Sequence, residues 1–158
     1  MSGEFSPELL ERVRTLWKRY PKRKAALLPA MHLIQAERGG WFSAETVRDT
    51  AGLFDVPDVH IRGIVGFYDM FHSEAVGKHI VRLCKTLSCK LRGADELRRH
   101  VKEKYGVDHG ETTADGRFTF CCFECLGHCS TAPMMLVDEE KYENLTAESL
   151  DEVLGGLA

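Results

Sequence analysis

Six cysteines fall in two short stretches, Cys84 and Cys89, then Cys121, Cys122, Cys125 and Cys129, with none in the first 83 residues. This clustering constrains the chain more than any other feature. An even count permits three disulfides. A chain of 158 residues that is 44% hydrophobic, however, can build a core without such staples. Residues 1–8 also lack the basic-then-apolar pattern of an export signal, so an oxidising compartment is not expected. Cysteines gathered into two loops suit a metal or cluster site better than a disulfide framework.

The two stretches lie in the second half, and the pattern of that half differs from the first. Residues 1–75 read as four short amphipathic helices. Ser6-Pro7 starts the first, with Leu9, Val13, Leu16, Trp17 and Tyr20 on one face, and Tyr20-Pro21 ends it. The second carries Leu27, Ala30, Met31 and Ile34 and stops at Gly39-Gly40, and Pro29 must kink it or delay its regular start. Ser43 caps a third helix and Pro57 opens a fourth. From about Lys78 the order becomes strand (His79–Cys84), helix (Ala94–Tyr105), strand (Phe118–Cys125), strand (Met134–Val137) and a last helix capped by Thr146. The expected class is α+β: an N-terminal helical bundle, residues 1–75, followed by a thioredoxin-like α/β domain, residues 76–158.

In this reading Cys84 ends the first strand and Cys125 the second, giving C-x4-C (Cys84, Cys89) and C-x3-C (Cys125, Cys129). Loops that leave the carboxyl ends of strands in an open sheet share one crevice. Four thiolates meeting there satisfy a 2Fe–2S unit, two per iron. Structural zinc uses the same ligands at similar spacing, so a zinc-stabilised interaction module stays open on spacing alone. Plant-type and four-iron ferredoxin runs are absent, and a Rieske centre needs two histidines where only His128 lies in these loops. Cys122 and Cys125 also form a C-x-x-C pair, but they straddle a strand end rather than open a helix, which disfavours dithiol chemistry.

The chain resembles the thioredoxin-like 2Fe–2S subunit, the E subunit, of NADH:quinone oxidoreductase (complex I). Related subunits serve NAD-linked formate dehydrogenases and bidirectional hydrogenases. In the first half the likeness rests on Tyr20-Pro21, Ala26 to Ala30, Gln35 to Trp41, and Gly66-Phe67-Tyr68 before Met70-Phe71. In the second half it rests on Cys89 to Ala94, Gly110 to Thr113, Glu124 to Gly127, Cys129, Ala132-Pro133-Met134 and Tyr142 to Thr146. The resemblance implies that Cys84, Cys89, Cys125 and Cys129 ligate one 2Fe–2S cluster. It implies a partner subunit that carries FMN and binds NADH, with the cluster near the flavin but off the main electron path. The chain would then be an electron-carrying subunit of an oxidoreductase, with no catalytic residues of its own. It has no Gly-x-Gly-x-x-Gly turn after a strand, in keeping with a nicotinamide site held elsewhere. Such a subunit is expected to be cytoplasmic, and peripheral to the inner membrane if its host is complex I. Cys121, Cys122 and His128 depart from the family pattern.

Cys121 and Cys122 read as packing residues on opposite faces of a strand, with Cys122 beside Phe118 and Phe120. His128 precedes Cys129 and is the group there that most readily changes charge near neutral pH. Lys85, Lys90 and Arg92 are either solvated or offset cluster charge. Charge is uneven: residues 82–104 hold nine basic residues, His100 among them, and three acidic, whereas residues 138–152 hold seven acidic and one basic. The net charge of −3 and the short apolar runs suggest neither nucleic-acid binding nor membrane insertion. The helical half has no chemistry of its own, yet it carries the glycine- and aromatic-rich stretches around Trp41 and from Phe67 to Phe71. Partner docking is its expected role.

Overall fold

The computed structural model describes residues 5–157. The chain divides into two compact units, Met1–Ala75 and Val76–Ala158. The described residues form seven α-helices and a five-stranded mixed sheet, an α+β protein as expected.

The first unit contains α1 (Pro7–Trp17), α2 (Leu27–Glu37), α3 (Ala44–Phe54) and α4 (Asp58–Phe67). Local chemistry sets the starts. The Ser6 hydroxyl accepts from the Leu9 N–H and Ser43 from Thr46, each at 3.1 Å, satisfying donors that have no partner within the helix. Pro29 delays α2 instead of kinking it. A 3-10 turn, Arg23–Ala26, precedes the helix, and Pro29 falls in its first turn, where a missing N–H costs nothing. Regular α1 stops at Trp17, short of the expected Tyr20-Pro21, and Arg19 and Tyr20 close it with turn bonds to Leu16 and Trp17. Leu9, Val13, Met31, Ile34, Phe54 and Ile61 fill the core. No helix among the described residues is long and apolar enough to cross a membrane.

The second unit runs β1 (His79–Cys84), α5 (Leu87–Leu91), α6 (Ala94–Tyr105), β2 (Glu111–Thr112), β3 (Phe118–Phe123), β4 (Met135–Val137), β5 (Glu140–Tyr142) and α7 (Ala147–Gly155). The sheet order is β2-β3-β1-β4-β5. Central β1 pairs parallel with β3, in register from His79 opposite Phe118 to Cys84 opposite Phe123, and antiparallel with β4. Parallel neighbours need a crossover. Helix α6 supplies it, packing Leu97 and Val101 into a core with Val81, Phe118, Phe120 and Leu150. Two expectations are corrected. Strand β3 ends at Phe123, because its last rung is the Lys85 N–H to the Phe123 carbonyl at 2.9 Å and both Glu124 and Cys125 are exposed. Strand β4 begins at Met135, one residue later than expected, although the Met134 carbonyl still accepts from the Cys84 N–H at the end of β1.

Candidate metal centre

Because β1 and β3 run parallel and in register, both chains leave the sheet at the same edge. Beyond β1, Thr86 precedes α5, a five-residue helix that turns Cys89 inward. Beyond β3, the loop from Glu124 to His128 turns at Gly127, whose φ of +86° suits glycine, and enters a one-turn 3-10 helix that opens with Cys129. Cys84 and Cys89 are buried, whereas Cys125 and Cys129 are exposed. Ala94, Ala132 and Met134, with Leu126 and Leu136 against them, make an apolar wall around the buried pair.

The four thiols interact. Cys125 Sγ and Cys129 Sγ lie 3.7 Å apart. The Cys89 thiol is pushed up to about 11, first by burial, then by Cys84, with a further contribution from the charge of Cys129. Burial also acts on Cys84, but hydrogen bonds from the Thr86 side chain and the Thr86 and Leu126 backbone outweigh it and draw its pKa down. The pKa of Cys125 is lowered by the Gly127 N–H, by Cys129 and by the Thr86 hydroxyl. Thr86 Oγ1 lies 3.3 Å from Cys84 Sγ, so one hydroxyl serves a cysteine from each pair. The sulfurs meet as two pairs: among the described residues, no three His, Cys, Asp or Glu side chains close on a point fit for a single ion. All six cysteines are free thiols.

Residues 13–158 match the family model described as thioredoxin-like [2Fe-2S] ferredoxin. The chain belongs to this ferredoxin family. It is 36% identical over 148 residues to the mitochondrial NADH dehydrogenase [ubiquinone] flavoprotein 2 of Dictyostelium discoideum, a match covering 92% of this chain and 60% of that protein. It is 32% identical over 155 residues to the NADH-quinone oxidoreductase E subunit of Rickettsia bellii (strain RML369-C), covering 97% of this chain and 93% of that one. Among solved structures, an NAD+-reducing [NiFe]-hydrogenase in the air-oxidized state superposes with a TM-score of 0.72 at 21% identity, over 83% of this chain and 22% of that one. That likeness speaks to fold alone.

The donor set fits the family's 2Fe–2S cluster: four soft sulfur ligands, in two pairs, beside an apolar wall. In this ferredoxin, Cys122 packs with Phe118 and Phe120 as expected, and burial raises its pKa and that of Cys121. Lys85 pairs with Glu124 at 2.9 Å and Lys90 with Asp95 at 3.2 Å, so each lysine is countered by a carboxylate of its own. His128 Nδ1 lies 2.7 Å from the Glu143 carboxylate, which also accepts from Thr131 Oγ1 at 2.5 Å. Backbone bonds from Asn144 to Thr131 and from Leu145 to Pro133 pin that stretch against the cysteine loop. Sequence reasoning missed Thr86 and Glu143. Thr86 had a signal in its position between two cysteines, whereas Glu143 becomes visible only once its segment is zipped to the loop.

Proposed function

We propose that this ferredoxin is the one-electron carrier of an NADH-quinone oxidoreductase. In this reading Cys84, Cys89, Cys125 and Cys129 hold the cluster, and the chain works beside a subunit that binds FMN and NADH. Residues 1–75 dock that subunit, and the assembly sits on the periphery of a membrane. The observation that carries the reading is the convergence of two thiol pairs where parallel β1 and β3 leave the sheet. Relatives named as subunits of NADH-oxidising quinone reductases, matched over almost the whole chain, support the host. A 2Fe–2S cluster supplies single-electron transfer at a potential set by charge, hydrogen bonds to sulfur and exposure.

The chain's own part is positional. Parallel pairing of β1 and β3 fixes the spacing of the two loops. Thr86 orients a thiol from each pair, and the apolar wall keeps water from the buried pair. The exposed Cys125–Cys129 loop is the side from which a partner's redox centre can approach. Protein prepared without oxygen should contain two irons and two sulfides per chain and show a red-brown colour that dithionite bleaches. Alanine at any of the four cysteines should lose or badly destabilise the cluster. A full zinc complement without sulfide would refute the cluster and leave the zinc-stabilised module. Removing residues 1–75 should weaken binding of the FMN subunit at least about tenfold, roughly 1.4 kcal/mol, and unchanged affinity would refute the docking role.

A further inference from the structure

Residues 12–24 hold seven Lys/Arg and no Asp/Glu, in a chain whose net charge is −3. All seven side chains are exposed. They line the C-terminal part of α1 and the 3-10 turn before α2. There a cleft of about 500 Å³ is bounded by Arg14, Trp17, Lys18, Tyr20, Pro21 and Arg23, with Glu11 the one carboxylate on its rim. That carboxylate meets Arg14 only at 3.8 Å, with both groups well exposed. Among the described residues Arg12, Lys18, Arg19, Lys22 and Lys24 have no ion pair. The bland role of basic residues at a helix C-terminus is to offset the macrodipole, which amounts to about half a charge. Seven cations go far beyond that.

The cleft is also aromatic. The Arg23 guanidinium sits over the Trp17 ring, 4.6 Å from its centroid, while the same ring packs edge-on against Phe54 in the core. The Trp17 indole N–H is shut off from solvent and has no acceptor. Tyr20 and Pro21 add flat apolar surface at the rim.

We propose that this cleft receives an acidic segment of a protein partner, with carboxylates on Arg14, Lys18 and Arg23 and an apolar or aromatic residue against Trp17 and Tyr20. The charge calls for an anion. An open cleft of about 500 Å³ has room for several residues of an extended chain rather than a single phosphate, and it lacks the glycine-built turn of backbone N–H groups that cradles phosphates. The proposal sharpens, and rests on, the docking role given to residues 1–75. It is independent of the cysteine site.

The test uses the full chain carrying Trp41→Phe, so that Trp17 is the sole tryptophan emitter, titrated at about 0.1 M salt with a Glu-rich synthetic peptide of about twelve residues centred on Pro-Tyr. Saturable quenching of Trp17 is expected. The exposed-site variant Arg14→Glu/Lys18→Glu/Arg23→Glu should weaken it at least about tenfold, whereas Arg48→Glu/Arg62→Glu, which alters cations elsewhere on the same unit, should change it less than about twofold. Far-UV circular dichroism checks that both variants fold. Absence of saturable binding, equal losses in the two variants, or tighter binding of oligo-uridine or phosphatidylserine vesicles than of the peptide would each overturn the proposal. None of these outcomes bears on whether removing residues 1–75 weakens binding of the FMN partner, so the two readings fail separately.

Discussion

Gly77 enters β1 pressed against the neighbouring strand. A Cβ built there would lie 2.6 Å from the Phe118 carbonyl carbon, 2.7 Å from its Cα and 2.9 Å from its nitrogen. The obstacle is the backbone of a residue with no exposed surface, not a side chain that can swing away. Gly77→Ala must therefore push β1 and β3 apart by several tenths of an ångström at the end where their register begins. It must also stretch the bonds from Gly77 N–H to Thr119 Oγ1 (2.7 Å) and from His79 N–H to the Arg117 carbonyl (2.9 Å). Overpacking of this kind costs about 1–3 kcal/mol, and rigid backbone places the cost near the top of that range. The assay is native-state hydrogen exchange at the amides of Val81 and Phe120, which should open about a hundredfold more readily, following the loss of sheet stability. Gly63→Ala is the control: its Cβ meets nothing within 4 Å, and α4 should gain up to about 1 kcal/mol. Unchanged protection of β1 and β3 in Gly77→Ala would refute the steric argument.

Asp151 accepts from Lys104 Nζ at 2.7 Å, Tyr105 Oη at 2.8 Å and His100 Nε2 at 3.0 Å, tying α7 to α6. Burial works against its charge, but these donors win and hold its pKa at about 2. A depressed carboxylate stabilises the fold fully above its ordinary pKa near 4 and ceases to do so as pH falls through about 2. Asp151→Asn should thus cost about 1–2 kcal/mol at neutral pH, after allowance for solvent screening, and flatten the stability profile between about pH 4 and 2 in urea titrations. A variant whose acid limb matched the wild type would disprove this. Thr86→Val should lower the cluster's midpoint potential by about 40 mV, because a hydrogen bond to sulfur of about 1 kcal/mol favours the more negative reduced state. Thr86→Ser should restore it, and a potential indifferent to both changes would count against Thr86. Cys121→Ala and Cys122→Ala should keep full iron content and the visible spectrum, with Cys122→Ala the less stable of the two because its side chain is buried. Cluster loss in either would force a different ligand set.

Much of this architecture was legible because its signals are local. Ser6, Ser43 and Thr146 announce helix starts through side-chain oxygens that satisfy N–H groups three residues on, and the structure shows each one doing so. The apolar runs of β1 and β3 stand out because the strands are largely buried, and the helical period of α6 survives because one face, with Leu97 and Val101, is buried. Helix α5 escaped notice for the opposite reason. Its Leu87 and Leu91 are 72% and 78% exposed, so its apolar residues do not mark a buried face. Strands β2 and β5 are two and three residues long and largely exposed, too short for any periodicity to speak. At the site, the two cysteine pairs could be read from spacing, but the exposure difference between them could not. It follows from how deeply α5 and the Cys125 loop each sink toward Ala132 and Met134.

The parallel neighbours β1 and β3 are close in space but separated along the chain by α5, α6 and β2. Any group that bonds to both cysteine loops therefore acts as a staple, closing the stretch from Cys89 to Cys125 as a disulfide would. A loop of that size is worth about 3–4 kcal/mol in restricted unfolded-state freedom. Loading the site and holding the second unit together are then one linked equilibrium. Since Cys84 and Cys89 are sealed inside while Cys125 and Cys129 stay open to solvent, the staple has a sealed leg and an exposed one. Assembly has to finish, and damage begin, at the exposed leg.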